Sequence, residues 1–378
     1  MAWYALASLT PAALLALACL LGGAWAWVAL FAMTLLVRLL DRLTRVALLP
    51  RETSGAGLAV AVALAHFVLL VLGLRALSGA VPLGPWQMLA LAVALGNFFG
   101  QVSNSDAHEL IHARNRWRVR LGTAVYVSLL FGHHVSAHLR VHHPNVGTGA
   151  DPNSARAGEG FYRFWARAWA GSFREGWRAE TRLRRGRGGL HPYAAYLGGA
   201  LLTLAAAWMI GGVRGVLALL FLALYAQTQL LMADYVQHYG LRRALRADGS
   251  PAPVGPGDSW NAAPWFSGAM MLNAPRHSDH HLNPARPFPA LRLDPTLPML
   301  PAGIPAMAML ATVPPLWRRV MDRRLTALPP RPVNHSQTIS GGDGAILADL
   351  PHGETDPDSA GPDGLASARA IDAERRGL

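Results

Sequence analysis

The chain has 378 residues, 52% hydrophobic and only 15% charged, with 34 basic side chains against 22 acidic ones and a formal charge of +12. Its apolar residues fall in blocks of about 20, long enough to cross a hydrocarbon layer as helices, which excludes an ordinary soluble fold and points to an all-α polytopic membrane protein. The lone Cys19 excludes a disulfide framework and any cysteine-held metal or iron–sulfur centre within the chain.

The first apolar block covers about 5–21 and carries no basic leader or cleavage site, so it reads as a retained span and not a signal peptide. After Gly22-Gly23 a second span is predicted over about 24–40, with Arg38, Arg42, Arg45 and Arg51 at its end and beyond it. A third covers about 57–74 and a fourth about 86–103, separated by a Gly/Pro loop; a polar stretch then fills 104–192. The fifth and sixth spans, about 193–210 and 216–236, are joined by a glycine turn, and a second polar stretch occupies 237–297. Pro298 to Trp317 is weakly apolar but broken by five prolines, and is expected to pack on the protein or at the interface instead of crossing. These parts form one integral-membrane domain, 1–327; residues 328–378, rich in Gly, Pro, Ser and Asp, read as a disordered polar tail.

Six spans place both termini on one side. The Arg-rich stretches 41–55 and 104–192 lie on that same side, whereas the opposite loops hold only Arg75 and Arg214. The positive-inside rule makes the Arg-rich side cytoplasmic. There is no Lys; every basic side chain is Arg, which a nucleotide-composition bias explains.

Nine histidines stand in four short motifs on that side. HELIH supplies His108 and His112, one helical turn apart; HLRVHH supplies His138, His142 and His143, with an i, i+4 pair. DYVQHYG places His238 where the sixth span ends, and RHSDHH supplies His277, His280 and His281 at a spacing that fits one helical face. An isolated histidine such as His66 or His191 is most simply a core or solvated side chain. Nine crowded imidazoles are different, because they would repel one another on protonation unless metal held them. HExxH alone suggests a zinc hydrolase, but catalytic zinc needs three protein ligands, and two metals account for nine imidazoles better. Imidazole suits zinc, copper, iron and nickel alike. A metal transporter would place ionisable groups inside the spans, where this chain has almost none. His133 and His134 flank the second motif and are left outside the ligand set.

These motifs, with DSWN, HLRVHHPNVGTGADPNSARAGE and PPLWRRVMD, resemble the membrane di-iron alkane 1-monooxygenases of the fatty-acid desaturase and hydroxylase superfamily. The resemblance implies a six-helix bundle under a cytoplasmic histidine-rich di-iron cap in the bacterial inner membrane. It implies two iron ions held by the nine histidines, and insertion of one oxygen atom from O2 into the terminal C–H bond of an alkane. It further implies electrons from rubredoxin, or a similar acidic carrier, with its NAD(P)H-dependent reductase. Related members would act on an alkylaromatic methyl group, a fatty acyl chain or a terpenoid. The chain departs from the family pattern at Ala137, Val141, Asp234, Gln237, Asp258 and Pro264, none of them one of the nine.

Within that picture Glu109, Asp234 and Asp279 are candidate acids behind the ligands, since a ligating histidine generally donates its other N–H to a carboxylate or carbonyl. Asp151 reads as a turn or cap residue. A lipid-facing slot for an apolar chain is expected to draw on Trp25, Trp27, Phe31, Phe98 and Phe99, which would otherwise be lipid-facing aromatics. One cysteine cannot carry an electron-transfer centre, so electrons must come from another protein. The Arg114–Arg120 run and the Arg174–Arg187 cluster offer it a basic surface, or offer anionic lipid a contact; nothing suggests nucleic acid.

Overall fold

The computed structural model describes residues 1–44, 46–186 and 188–329. The expected tail, but for Leu328 and its neighbour, and Arg45 and Arg187 of the basic clusters, lie outside the described residues. Among the described residues the architecture is helical, and β pairing is limited to two isolated bridges.

Among the described residues four helices are long and apolar enough to cross a membrane: Ala2–Leu21 (α1), Ala24–Leu43 (α2), Ala56–Ala80 (α3) and Pro192–His238. Leu, Ala and Val dominate them, residues that satisfy lipid while the helix satisfies its own backbone. Between α3 and the last lies α4, a continuous helical run of Pro85–Asn97, a π-helical segment Phe98–Ser103 and Asn104–Ile111. Proline takes its first position, where its missing N–H costs nothing.

α5 (Arg116–Ser128) folds back on the end of α4, and α6 (Phe161–Leu183) lies against the final long helix. That helix, α7 (Pro192–His238), is 47 residues long but not straight. Gly211 and Gly212 leave helical geometry, Gly212 with φ 56°, a conformation few side chains accept. The two arms then run back alongside each other: a Cβ on Gly215 would lie 2.2 Å from the Ala207 carbonyl oxygen. The glycine turn expected between the fifth and sixth spans is therefore a hairpin inside one hydrogen-bonded run.

α1 packs on α2 and α3, α2 on α4, and α4 on α7. The α4–α7 seam is tight because α4 presents glycines there: a Cβ on Gly96 would lie 2.7 Å from the Tyr225 ring, and one on Gly100 2.5 Å from Gln229. Small residues at such seams let membrane helices approach closely enough for dispersion to hold them. The chain then forms α8 (His277–Leu282), α9 (Ile304–Ala311) and α10 (Pro314–Thr326). The proline-broken segment thus becomes two short helices of 8 and 13 residues, the second anchored by fully buried Trp317.

Gly100→Leu should lower the midpoint of thermal unfolding in detergent, by an overpacking cost of about 1–3 kcal/mol. Gly57→Ala, where no atom stands within 4 Å of an added Cβ, should leave it nearly unchanged.

Candidate metal centre

Four segments meet where α4 and α7 end. α4 delivers His108 and, at its C-cap, His112; a π-helical turn His138–His142 with the following His143 approaches from the side. α7 contributes His238 as its last residue, and α8 brings His277, His280 and His281. All nine expected histidines are gathered in two groups. His108, His112, His138, His143 and His280 form one; His142, His238, His277 and His281 form the other, with ligand atoms within 4.8 Å of one another in each.

The partition corrects two expectations drawn from α-helical spacing. His138 and His142 were expected to share a face, but the segment is π-helical and α-helical spacing does not govern it. His138 lies with His143, and His142 turns to the second group. In α8 the i, i+4 pair His277 and His281 stay together, while His280, about 100° round the helix from His281, faces the first group. HELIH, like the His277–His281 pair, behaves as its α-helical spacing suggests.

The donor set fits metal ions. Nε2 atoms face each other at 3.1 Å (His112–His138), 2.9 Å (His138–His143) and 3.2 Å (His143–His280) in the first group, and at 3.0 Å (His238–His277) and 3.1 Å (His277–His281) in the second. Ligands about 2.0–2.1 Å from a common ion sit at such separations. Nε2 of His108 and of His142 is buried without a hydrogen-bond partner, which an ion would supply. Burial and neighbouring imidazoles push His108, His138, His143, His280 and His281 well below the ordinary histidine range, and burial takes His112 down to about 4. These rings are neutral at pH 7, the form that ligates.

Asp151, read from sequence as a turn residue, does more. Its Oδ1 accepts the Asn153 N–H at 2.9 Å, making the turn, while Oδ2 accepts His142 Nδ1–H at 2.9 Å and the Ser154 hydroxyl at 2.7 Å. Burial works against both charges, yet their mutual attraction raises the His142 pKa and holds Asp151 below the usual carboxylate range. The bond fixes His142 with Nε2 towards the second group. His238 is oriented similarly through Nδ1 and the Asp258 carbonyl, at 3.4 Å. The signal for Asp151 was its place in the loop directly after the second motif.

The three expected acids have different surroundings. Asp279 accepts from both Arg286, at 2.5 and 2.7 Å, and the Arg292 N–H, and pins the loop after α8. Glu109 accepts the Phe288 N–H at 3.3 Å, and burial pushes its carboxyl up to about 7. Asp234 accepts from Asn153 at 2.6 Å, one residue-pair away from Asp151. His133 and His134 pack against Phe131 outside both groups, and His66 bonds Ser128 at 2.8 Å in the core.

One cavity adjoins the centre, and a second adjoins the first. A chamber of about 70 Å³ is lined by His108, His138 and His277 together with Gln101, Tyr126 and Gln229. A cleft of about 990 Å³ between α2, α4, α7 and α9 is lined by Met33, Leu224, Met232, Met309 and other mainly apolar residues. Gln101, Gln229, Pro305 and Ala308 line both. None of the five aromatics expected to form a slot lines either cavity. Trp25, Trp27 and Phe31 lie on the outer side of α2, 36–48% exposed, as lipid-facing aromatics do, whereas Phe98 and Phe99 are core residues, Phe99 packed on His66. From the basic clusters, Arg114, Arg116, Arg120, Arg174, Arg178 and Arg182 are exposed.

Asp151→Asn should weaken metal affinity roughly 10–100-fold, since it removes the anchor of one imidazole. Asp279→Asn, whose carboxylate bonds Arg286 and the Arg292 N–H and no imidazole, should retain metal as wild type does; competition with a graded chelator reads both.

The chain matches the fatty acid desaturase family model over residues 84–296, more than half its length and all four histidine motifs. It is similar to the alkane 1-monooxygenase of Pseudomonas putida, 34% identical over 248 residues, covering 64% of this chain and 61% of that protein. A similar match is alkane 1-monooxygenase 1 of Alcanivorax borkumensis, 34% identical over 253 residues, 65% of this chain and 61% of that one. More distant is the xylene/toluene monooxygenase hydroxylase component of Pseudomonas putida, 26% identical over 257 residues, 66% and 67% of the two chains. The chain thus spans less than two thirds of the length of the alkane monooxygenases it matches. Family, helical membrane architecture and paired histidine groups agree: the chain belongs to the fatty acid desaturase family.

Proposed function

We propose that the chain is a membrane di-iron monooxygenase that hydroxylates the terminal carbon of alkanes, taking O2 and electrons from rubredoxin or a similar acidic carrier and releasing primary alcohols. The observation that carries this reading is the division of nine histidines into groups of five and four beside a chamber that shares Gln101, Gln229, Pro305 and Ala308 with a mainly apolar cleft. The names of the similar alkane monooxygenases supply the substrate class.

Two bound iron ions would supply the oxygen-activating redox chemistry, and the two histidine groups would hold them. The remaining work falls to the protein. The histidines, fixed on four segments, position the reacting centre at the end of the bundle. Asp151 holds His142 in the ligating tautomer. An alkane has no polar handle, so the cleft must recognise it by shape and apolar contact, and the bundle excludes bulk water while the chain end enters the chamber. A narrow chamber at the end of a long cleft presents a terminal carbon in preference to an internal one.

In this reading α1, α2, α3, α4 and the two arms of α7 make six crossings within a domain of 1–327. The Arg-rich segments and the centre then face the cytoplasm from a bacterial inner membrane. The exposed arginines of α5 and α6 form the basic face an acidic carrier would approach. The similarity to a xylene/toluene monooxygenase component favours an alkylaromatic methyl group as the second substrate class.

Protein purified from iron-replete cells should carry about two irons per chain, and membranes supplied with carrier and reductase should convert octane to 1-octanol. His280→Ala should abolish turnover. At most one metal per chain, or oxidation of xylene with none of octane or hexadecane, would contradict the alkane reading.

A further inference from the structure

The junction between chamber and cleft is polar, although it lies among membrane helices. Asn97 and Gln101 come from α4, Tyr225 and Gln229 from the second arm of α7, at the seam closed by Gly96 and Gly100. The Asn97 Oδ1 accepts from Gln229 Nε2 at 2.9 Å, Gln101 Nε2 at 3.2 Å and the Tyr225 hydroxyl at 3.2 Å. Three donors exhaust that oxygen. Gln101, only 9% exposed, is left with an Oε1 that has no partner, and both glutamines line both cavities.

Amides bonded only to one another would serve as simple helix–helix contacts. This cluster differs in keeping one acceptor unfilled beside a cavity, which carries a desolvation cost unless something donates to it. The partner must pass through an apolar cleft, so its bulk is apolar. It must donate a hydrogen bond. It is neutral as well, because the four collar side chains are uncharged and an ion of either sign held among them would lack a counter-charge. A hydroxyl on a lipophilic chain meets all three conditions, giving its proton to Gln101 Oε1 and accepting from a spare amide N–H.

We infer that Asn97, Gln101, Tyr225 and Gln229 form a binding site for the hydroxyl group of a long-chain alcohol, placed between the reaction chamber and the lipid-facing cleft. Gln101 and His108 lie seven residues apart on one helical run and line the same chamber, so the collar stands at its edge. The site does not depend on the alkane reading; that reading supplies one source of the alcohol, the enzyme's own product. The other source is a hydroxylated chain taken from the membrane.

The test is equilibrium binding of tritiated 1-dodecanol, dodecane and 1-methoxydodecane to the purified, metal-containing protein in detergent. Binding of 1-dodecanol should be about tenfold tighter than that of dodecane. The ether, which cannot donate, should lose most of this advantage. Gln101→Met should bring the ratio of alcohol to alkane affinity down to about one, with metal content and the thermal unfolding midpoint reporting that the variant is folded. Equal affinities for alcohol and alkane, or for alcohol and ether, in the wild-type protein would overturn the inference without any variant. A single turnover on dodecane followed by rapid gel filtration distinguishes the sources. Alcohol retained with the protein identifies the product as occupant; preference for added alcohol without retention identifies a hydroxylated chain. Failure to oxidise dodecane would refute the alkane reading alone, leaving the binding result to stand or fall by itself.

Discussion

Everything at the centre depends on holding nine imidazoles close. Crowded rings with Nε2 atoms about 3 Å apart cannot all be protonated, and as neutral groups alone they cannot satisfy one another fully. Burial lowers the pKa of eight of them, Asp151 instead raises that of His142 as it anchors the ring, and the converging nitrogens form two ready ligand sets. The rest of the fold serves this arrangement. α4 and α7 are pressed together by glycines so that His108, His112 and His238 emerge at one level, and α8 is placed between the two groups so that its three histidines reach both.

Much of this was legible in the sequence, for definite reasons. Apolar blocks of about 20 residues marked the helices, because a helix of that length spans lipid with its backbone satisfied within the segment, whereas barrel strands are about half as long. The turn at Gly211–Gly212 was visible as glycine. The histidine motifs marked all nine side chains, since imidazole at helical spacing is rare without a metal to gather it. What the sequence hid was the division of those nine. A π-turn leaves no reliable mark in residue types, nor does the bond from Asp151 that turns His142 away from His138 and His143.

The supporting residues were harder to read for the same reason: their role depends on contacts between segments. Asp279 sits in the middle of a histidine motif and yet serves Arg286, while Asp151, in a loop that looks like an ordinary turn, anchors His142. The slot aromatics failed as indicators because an aromatic side chain suits lipid as well as a cavity. Trp25, Trp27 and Phe31 face outward, and the cleft is lined instead by flexible residues such as Met33, Met232 and Met309, together with an amide collar that no spacing rule announces. Met side chains adapt to irregular apolar chains more readily than rigid rings do.

The central claim is that two ions divide the histidines five to four, and a structure of the iron-loaded protein with anomalous scattering recorded at the iron edge tests it most directly. The account predicts two peaks, one among His108, His112, His138, His143 and His280, the other among His142, His238, His277 and His281. A single peak shared by the nine, or two peaks with His142 and His143 bound to the same ion, would contradict it.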